Sequence, residues 1–143
     1  MRHDPKRLLA ATYPARIELP TRFGDMDANY HLNNVAIAQL FEEARVQFNS
    51  GSAKLLGGVR PRMMVAHVGI DYLAEGHYPG PVALHLGIAH IGNSSFTMAL
   101  AAFQQDRCFA LCDSVLVVRS PEGGAAPLPP RLRERLEAHR LTG

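Results

Sequence analysis

The sequence has no tryptophan and only two cysteines among its 143 residues, and no apolar run in it is long enough to cross a bilayer. The cysteines, Cys108 and Cys112, lie four positions apart, which fits neither a C-x-x-C redox pair nor a zinc half-site. We therefore expect two small buried hydrophobic side chains. The apolar segment at residues 8–11 is too short for the core of a signal peptide. Together these absences predict a soluble, cytoplasmic protein.

The chain also has little excess charge: its formal net charge is +2, and aromatic residues make up 7% of it. A nucleic-acid-binding surface needs concentrated positive charge and aromatic side chains for stacking, so no nucleic acid partner is expected. The histidines show no H-E-x-x-H or other tight metal spacing, and the G-x-S-x-G, dinucleotide-binding and P-loop glycine patterns are absent. A metal site, a nucleotide cofactor and a serine-hydrolase triad are therefore not expected.

The length and the 47% hydrophobic content are typical of one compact domain. We assign residues 1–143 to a single domain, with 1–13 as an N-terminal extension and 121–143 as a Pro/Gly-rich link followed by a C-terminal helix. This short helix is predicted at 131–140 with Leu132 and Leu136 facing inward, and we expect it to be peripheral.

One long helix is predicted after residue 33. Either Asn33 or Asn34 is placed to cap its start, and Asn-Ser-Gly at 49–51 is typical of a helix end. The residues at helical spacing are Ile37, Leu40, Phe41, Ala44 and Phe48. Because its first two turns are apolar on nearly every side, we expect the rest of the fold to enclose this helix.

Strands are predicted on both sides of the helix. A first strand within residues 16–23 is interrupted by Pro20. Four more strands follow in a region of period-two alternation, with short turns that suit antiparallel neighbours. Their predicted faces are Met64, Ala66, Val68, Ile70 and Tyr72; Val82, Leu84, Leu86 and Ile88; Phe96, Met98, Leu100 and Ala102; and Phe109, Leu111, Val115 and Val117. The predicted fold is α+β, a five-stranded antiparallel sheet wrapped around a central helix.

Two aspartates, Asp25 and Asp27, come shortly before the start of this helix. Backbone N–H groups at a helix start are unpaired, and the aligned peptide dipoles make the spot electropositive, so it can polarise a carbonyl or hold an anion. A carboxylate beside such donors supplies a base or nucleophile and an oxyanion site, which are the two parts that acyl transfer requires. Thioesters suit this equipment because their carbonyl is more electrophilic than that of an amide or an ester.

The segment RFGDMDANYHLNN at 22–34, followed by FEEAR at 41–45, closely resembles the signature of the 4-hydroxybenzoyl-CoA thioesterase-like hotdog proteins. IGNSSF at 91–96 and PLP at 127–129 are similar to theirs as well, so the resemblance covers most of the chain. It implies a hotdog-fold enzyme that hydrolyses acyl-CoA or acyl-carrier thioesters. The catalytic groups it implies are the carboxylate of Asp27 and the backbone N–H of Asn34, with coenzyme A as part of the substrate and no cofactor.

The resemblance also implies a homodimer or a dimer of dimers, in which the strand after the helix pairs with its symmetry mate and both chains contact substrate. On the same basis, Ser94 and Ser95 are expected near the carrier arm. Basic residues that could hold the CoA phosphates are Lys54, Arg60, Arg62 and Arg107, which the sequence does not rank.

Candidate substrate-binding residues beside Asp27 are Tyr30, His31 and Asn33, and each also has a structural interpretation. Asn33 is a good helix cap in any protein, and His31 either fixes the loop or touches the thioester. Asp25 is expected to be structural. Many family members have glycine where this chain has Tyr30, so either the loop takes another path or Tyr30 is strained. Tyr30 then limits the acyl pocket or packs outside it.

Two other functions stay open on the sequence. A hotdog hydratase or dehydratase would pair Asp27 with His31, the only histidine nearby. A non-catalytic acyl-carrier binding protein would bind its ligand without turnover. Neither fits the spacing from the aspartate to the helix as well as a thioesterase does.

Overall fold

A computed structural model of the chain describes residues 3–55 and 62–143, with the backbone alone for 52–55. The predicted connection through Gly57, Gly58 and Pro61 lies outside the described residues, as do Arg60 and the side chain of Lys54. Short 3-10 helices cover Pro5–Leu8, Ala10–Thr12 and Phe23–Asp25. The main elements are β1 (Ala15–Leu19), α1 (Asn34–Leu55), β2 (Met63–Tyr72), β3 (Val82–Ile91), β4 (Ser95–Gln104), β5 (Arg107–Val118) and α2 (Pro130–Ala138).

The five strands form one antiparallel sheet in the order β1-β3-β4-β5-β2, whose inner face packs on α1. The predicted α+β fold is therefore confirmed. The first strand is shorter than the predicted 16–23: β1 ends at Leu19, because Pro20 has no N–H to continue the ladder. Both β1 and β2 are edge strands of this sheet.

One hydrophobic core joins α1 to the inner face of the sheet, and here the predicted patterns are confirmed. The predicted faces of β3 and β4 are at most 1% exposed, and the predicted helix face is buried as well. Burial of each large aliphatic or aromatic side chain stabilises the fold by about 1.5–3 kcal/mol. Alternation and helical spacing were sufficient signals here because the predicted positions of β3 end at Ile88, before the register shift that leaves Ala89 unpaired.

The predicted face of β5 is wrong because a β-bulge at Phe109 shifts the alternation. Cys108 pairs with Phe103 and Ala110 with Ala102, so Phe109 has no partner across the ladder and joins the core together with Ala110. Leu111 consequently lies on the outer face of the sheet. Val115 and Val117 follow Leu111 at even spacing and share that outer face. The residues that face α1 are Ala110, Cys112, Ser114, Leu116 and Val118.

A second bulge changes β2. The register with β5 shifts between Val65 and His67, which leaves Ala66 unpaired. Met64 therefore does not share a face with Val68 and the residues that follow, as predicted; it points away from the core. Val65 takes its place on the face toward α1.

The helix α1 does not end at residues 49–51 as predicted but continues to Leu55. A Cβ on Gly51 would lie 2.7 Å from Nη2 of Arg135, so this glycine makes room for an arginine. The Arg135 guanidinium stacks 4.3 Å from the centre of the Phe48 ring, and Nη2 donates to the Phe48 carbonyl at 2.9 Å. Nor is α2 peripheral, because Leu132 and Leu136 have no exposed surface.

The N-terminal extension covers part of the outer face of the sheet. Arg7 donates from Nη1 to Asp113 at 2.8 Å and from Nε to the Tyr13 hydroxyl at 2.8 Å. Tyr13 is buried there in a second, smaller apolar cluster, against which the half-buried Cys108 packs. Cys112 is buried as predicted, and burial raises the pKa of both thiols. Among the described residues, no helix is both long and apolar enough to span a membrane.

Candidate active site

A tight loop joins the 3-10 helix at Phe23–Asp25 to the start of α1. Met26 and Leu32 form an antiparallel bridge, and inside it the N–H of Asp27 donates to the His31 carbonyl at 2.9 Å. The Asn33 N–H donates to the Asp25 carbonyl at 2.8 Å. These backbone bonds close the loop, so Asp27 and the first turn of α1 belong to one locally rigid unit.

Asp25 stabilises this unit through hydrogen bonds to Arg22. Its carboxylate is buried and accepts hydrogen bonds from the Arg22 backbone N–H at 2.9 Å and from the Arg22 guanidinium at 2.9 Å. Among the described residues, the hydrogen bonds of this carboxylate all come from Arg22, just before the 3-10 helix. The geometry matches the structural interpretation of Asp25.

The Asp27 side chain is exposed at the surface of the chain. Its Oδ1 accepts from the Asn29 N–H at 2.8 Å and, more weakly, from the His31 N–H at 3.4 Å. Within the described residues, Oδ2 takes part in no hydrogen bond. The cavities at the surface of the single chain lie elsewhere and none of those described has Asp27 in its wall. One carboxylate oxygen thus shapes the turn while the other is open to solvent.

The start of α1 offers an unobstructed backbone donor. Asn33 is the cap: its Oδ1 accepts from the Ala36 N–H at 2.7 Å, and its carbonyl accepts from the Ile37 N–H at 3.1 Å. Asn34, the first helical residue, is exposed, and none of the hydrogen bonds of the described residues uses its N–H. The helix start is therefore not blocked by its own side chains, and a carbonyl or an anion can approach it.

Tyr30 and His31 form the tip and the return of the loop. Tyr30 has a φ of 62° and is 73% exposed, so of the two predicted alternatives the chain keeps the left-handed conformation. The His31 ring lies 3.1 Å from Glu75 and makes an edge-to-face contact with His77 at 5.3 Å between ring centres. The imidazole is thus directed at the segment after β2, away from Asp27.

Three residues near the site were missed by sequence reasoning: Tyr72, Glu75 and His77. The Tyr72 hydroxyl donates to the Asn34 carbonyl at 3.2 Å, which ties the end of β2 to the start of α1. Glu75 and His77 contact His31. All three lie more than forty positions after His31 in the sequence, and no local motif signals a contact over that separation.

Ser94 and Ser95 do not lie with Asp27 in one chain. Gln104, at one end of β4, exchanges two hydrogen bonds of 2.8 Å with the backbone of His77, beside the loop. Ser95 begins the same strand at its other end, and ten residues of strand span roughly 30 Å. Within a single chain, the structure brings Tyr30, His31, Asn33 and Asn34 together with Asp27 but places the two serines at the opposite end of the sheet.

The two described phosphate candidates lie at different ends as well. Arg107 donates to the Glu75 carbonyl at 2.8 Å and lines a cavity of about 540 Å³ with His77 and Gln104. Arg62 precedes β2 at the far end and donates to the Pro121 carbonyl at 3.4 Å. Only Arg107 is near the loop. Among the described residues, no group of three or more His, Cys, Asp or Glu side chains could hold a metal ion.

Comparison with known proteins identifies the family and the fold of the chain. A family described as the thioesterase-like superfamily matches residues 21–136. A Pseudomonas aeruginosa protein, PA5185, is 26% identical, with 95% of this chain and 98% of that one covered at a TM-score of 0.84. A thioesterase of Thermus thermophilus, solved with coenzyme A and zinc, is 29% identical, with coverage of 89% and 95% and a TM-score of 0.76. No curated protein matches the chain significantly.

Proposed function

Since this chain belongs to the thioesterase-like superfamily and is a thioesterase, we propose that it hydrolyses acyl-CoA thioesters with the Asp27 carboxylate and the Asn34 backbone N–H. The observation that carries the proposal is the loop of residues 25–34. It holds a carboxylate with one uncommitted oxygen and a helix start with an uncommitted N–H in a single hydrogen-bonded unit.

The thioester carbonyl oxygen accepts a hydrogen bond from the Asn34 N–H, where the positive end of the α1 dipole stabilises negative charge that develops during attack. Asp27 then acts in one of two ways. As a general base it takes a proton from water, the hydroxide adds to the carbonyl carbon, and the C–S bond breaks. As a nucleophile it forms a mixed anhydride that water then hydrolyses. Both routes yield the free acid and the thiol of coenzyme A.

The His31–Glu75 contact weighs against a hydratase or dehydratase. Such an enzyme would aim its histidine and its aspartate at the same acyl chain, whereas the His31 ring faces Glu75 at 3.1 Å and only its backbone contacts the Asp27 carboxylate. Coenzyme A is favoured over a carrier protein because the Thermus thermophilus relative was solved with coenzyme A. In this proposal, His31 stabilises the loop through its contact with Glu75, and Tyr30 lies at the exposed tip of the loop.

The first test is the replacement Asp27→Asn, which preserves size and removes the base. We expect kcat for acyl-CoA hydrolysis to fall at least a hundredfold, since general-base catalysis contributes about 10²–10⁴-fold. Asp106→Asn is the matched control: it makes the same chemical change at an exposed aspartate in the β4–β5 turn. Hydrolysis by Asp27→Asn above about a hundredth of the original rate would refute the assignment.

The two routes are separated by a single-turnover reaction in water enriched in heavy oxygen, with enzyme in excess. When water attacks the aspartyl carbonyl of the mixed anhydride and breaks its bond to the bridging oxygen, the label enters the Asp27 carboxylate, and mass spectrometry of the peptide containing Asp27 then identifies a nucleophilic Asp27. A general base delivers all of the label to the acid product, as does an anhydride opened at its acyl carbon, so label in Asp27 is the result that excludes the general-base route. Binding of acyl-CoA without release of thiol by the wild-type enzyme would instead identify a non-catalytic binding protein.

A further inference from the structure

The turn between β4 and β5 carries two polar side chains toward the segment that follows β2. Gln104 and Arg107 close this turn as cross-strand partners. Side chains of directly opposed residues lie on the same face of a sheet, so both extend in one direction. The two residues between them, Gln105 and Asp106, have φ angles of 50° and 62°, the left-handed pair that is typical of a tight two-residue turn. The turn therefore presents both side chains from the end of two inner strands of the sheet.

Both side chains bind the backbone of residues 75–77, which lie between β2 and β3 and belong to no strand. The Gln104 amide accepts from the His77 N–H and donates to the His77 carbonyl, each at 2.8 Å. Arg107 donates from Nη2 to the Glu75 carbonyl at 2.8 Å. A single glutamine amide has the donor and the acceptor to pair both backbone groups of one residue, as a neighbouring strand would. These bonds fix the segment to the end of the sheet.

The middle of this segment is packed against the active-site loop without spare room. Gly76 is buried, and a Cβ on it would lie 2.9 Å from Cδ1 of Leu32 and 2.9 Å from Cε2 of Phe109. The Gly76 carbonyl also accepts from the Leu32 N–H at 2.9 Å. Leu32 in turn forms the bridge with Met26 that closes the loop. Because no gap between them can absorb a displacement, movement of residues 75–77 is transmitted to Leu32.

His31 gives the loop two more contacts with the same segment. Its Nε2 lies 3.1 Å from the Glu75 carboxylate, and its ring meets the His77 ring edge to face. The backbone of His31 is bonded to Asp27, since its carbonyl accepts from the Asp27 N–H at 2.9 Å. A continuous series of contacts therefore runs from the β4–β5 turn, through the segment after β2 and His31, to Asp27.

We propose that Gln104 is a positioning residue for Asp27. Its amide fixes the backbone of residues 75–77, and these residues hold the loop that carries the Asp27 carboxylate near the Asn34 N–H. This inference rests on the proposed hydrolysis at Asp27 and adds a residue that acts without touching the substrate. A displacement of about 1 Å between reacting groups can slow a reaction about a hundredfold. Arg107 fixes the same segment, but it is also a candidate for the CoA phosphates, so Gln104 gives the clearer test.

The first test is Gln104→Met, which removes both hydrogen bonds at nearly constant size. We expect kcat for acyl-CoA hydrolysis to fall about tenfold while KM stays within about twofold, because substrate binding is not touched. Gln47→Met is the matched control: it removes a glutamine that bonds Glu43 on the exposed surface of α1, and kcat should not change. A rise in KM at constant kcat would mean that Gln104 contacts the substrate. Unchanged kinetics with a lower Tm would mean a purely structural role, and either result overturns the proposal.

Hydrogen exchange measures the position of the loop independently of catalysis. The N–H groups of Asp27, Leu32 and Asn33 are all hydrogen-bonded within the loop or to the segment after β2. In Gln104→Met, amides of residues 26–33 should exchange at least about fivefold faster, because the loop opens more often when its support is weakened. Amides in the buried part of α1, residues 37–48, should keep their exchange rates. Equal exchange of the loop in the wild type and in Gln104→Met overturns the proposal.

A double-mutant cycle distinguishes failure of this inference from failure of the proposed chemistry. If Gln104 acts through Asp27, Gln104→Met causes no further loss in an Asp27→Asn background, so the two effects are not additive. Additive losses would mean that Gln104 acts on another group, and the positioning role then fails while the low activity of Asp27→Asn still supports the proposed function. If Asp27→Asn itself retains hydrolysis, the proposed function fails and the positioning role fails with it.

Discussion

Tyr30 sits at the tip of the candidate active-site loop in a backbone conformation that favours glycine. Its φ is 62°, and 73% of the residue is exposed. The ring therefore makes few contacts that could offset the backbone strain. A residue with a Cβ in the left-handed region costs about 1–2 kcal/mol, whereas glycine costs about 0.5–1 kcal/mol in lost chain entropy. We therefore predict that Tyr30→Gly raises the free energy of unfolding by about 0.5 kcal/mol, measured by urea denaturation.

The control for this change is Tyr30→Ala, which removes the ring and keeps the Cβ. Its free energy of unfolding should stay at or slightly below that of the wild type, because the strained backbone is retained. If alanine stabilised the chain as much as glycine, the ring rather than the backbone angle would be the source of strain. Activity measured on the same variants reports separately on whether the ring contacts the acyl group.

At the scale of single residues, the sequence predicted those parts of the site that lie close together along the chain. Asp25, Asp27, Asn33 and Asn34 fall in one ten-residue segment, so their proximity follows from the loop and the helix cap alone. Glu75 reaches His31 only because β2 returns beside α1, and this depends on the tertiary fold. The roles of Asp27 and Asn34 in catalysis stay predictions.

At the scale of the elements, the contact of α1 with α2 depends on Gly51 and Arg135. Alanine at position 51 would gain about 1 kcal/mol of helix propensity but place a Cβ 2.7 Å from the Arg135 guanidinium. We predict that Gly51→Ala destabilises the wild type by about 1 kcal/mol, because the guanidinium must leave the Phe48 ring and carbonyl.

The same substitution should have the opposite sign in an Arg135→Ala background, where the obstructing side chain is gone. There Gly51→Ala should stabilise the helix by about 0.5–1 kcal/mol. The four proteins form a double-mutant cycle, measured by denaturant unfolding, whose coupling energy should exceed about 1 kcal/mol. Additive effects of the two substitutions would mean that Arg135 moves aside freely and that the glycine has another cause.

Period-two alternation predicted the buried face of some strands and not of others. The predicted faces of β3 and β4 are right, because the bulge of β3 at Ala89 lies after the last predicted position, Ile88. In β5 and β2 a single extra residue, Phe109 or Ala66, reverses the alternation of the rest of the strand. No residue type marks these bulges, since apolar side chains occur on both faces of each strand. The outer face of β5 is apolar because Tyr13 and the N-terminal extension cover part of it.

At the scale of the whole molecule, the predicted site residues of a single chain lie at two opposite ends of the sheet. Asp27 lies at the end of the sheet where β2 finishes, while Ser94 lies beside Val118, which pairs with Met63 where β2 begins. An antiparallel pairing of β2 with β2 of a second copy reverses its direction. The Ser94 end of the second copy then comes to the Asp27 end of the first, which is the arrangement that the expected dimer requires.

The open edge of β2 makes this expectation testable. Val65, Val68 and Tyr72 are 42%, 44% and 49% exposed on an unpaired strand, a surface that a second copy would cover. A lysine at the centre of an edge strand discourages such pairing. We predict that Val68→Lys shifts the protein from dimer to monomer in light scattering and lowers hydrolysis at least tenfold, because each site loses its contacts from the other chain. Leu9→Lys, at a 57% exposed position in the N-terminal extension, should leave the mass unchanged. A wild type that is monomeric at full activity, or a Val68→Lys protein that stays dimeric, would rule out β2 as the joining strand.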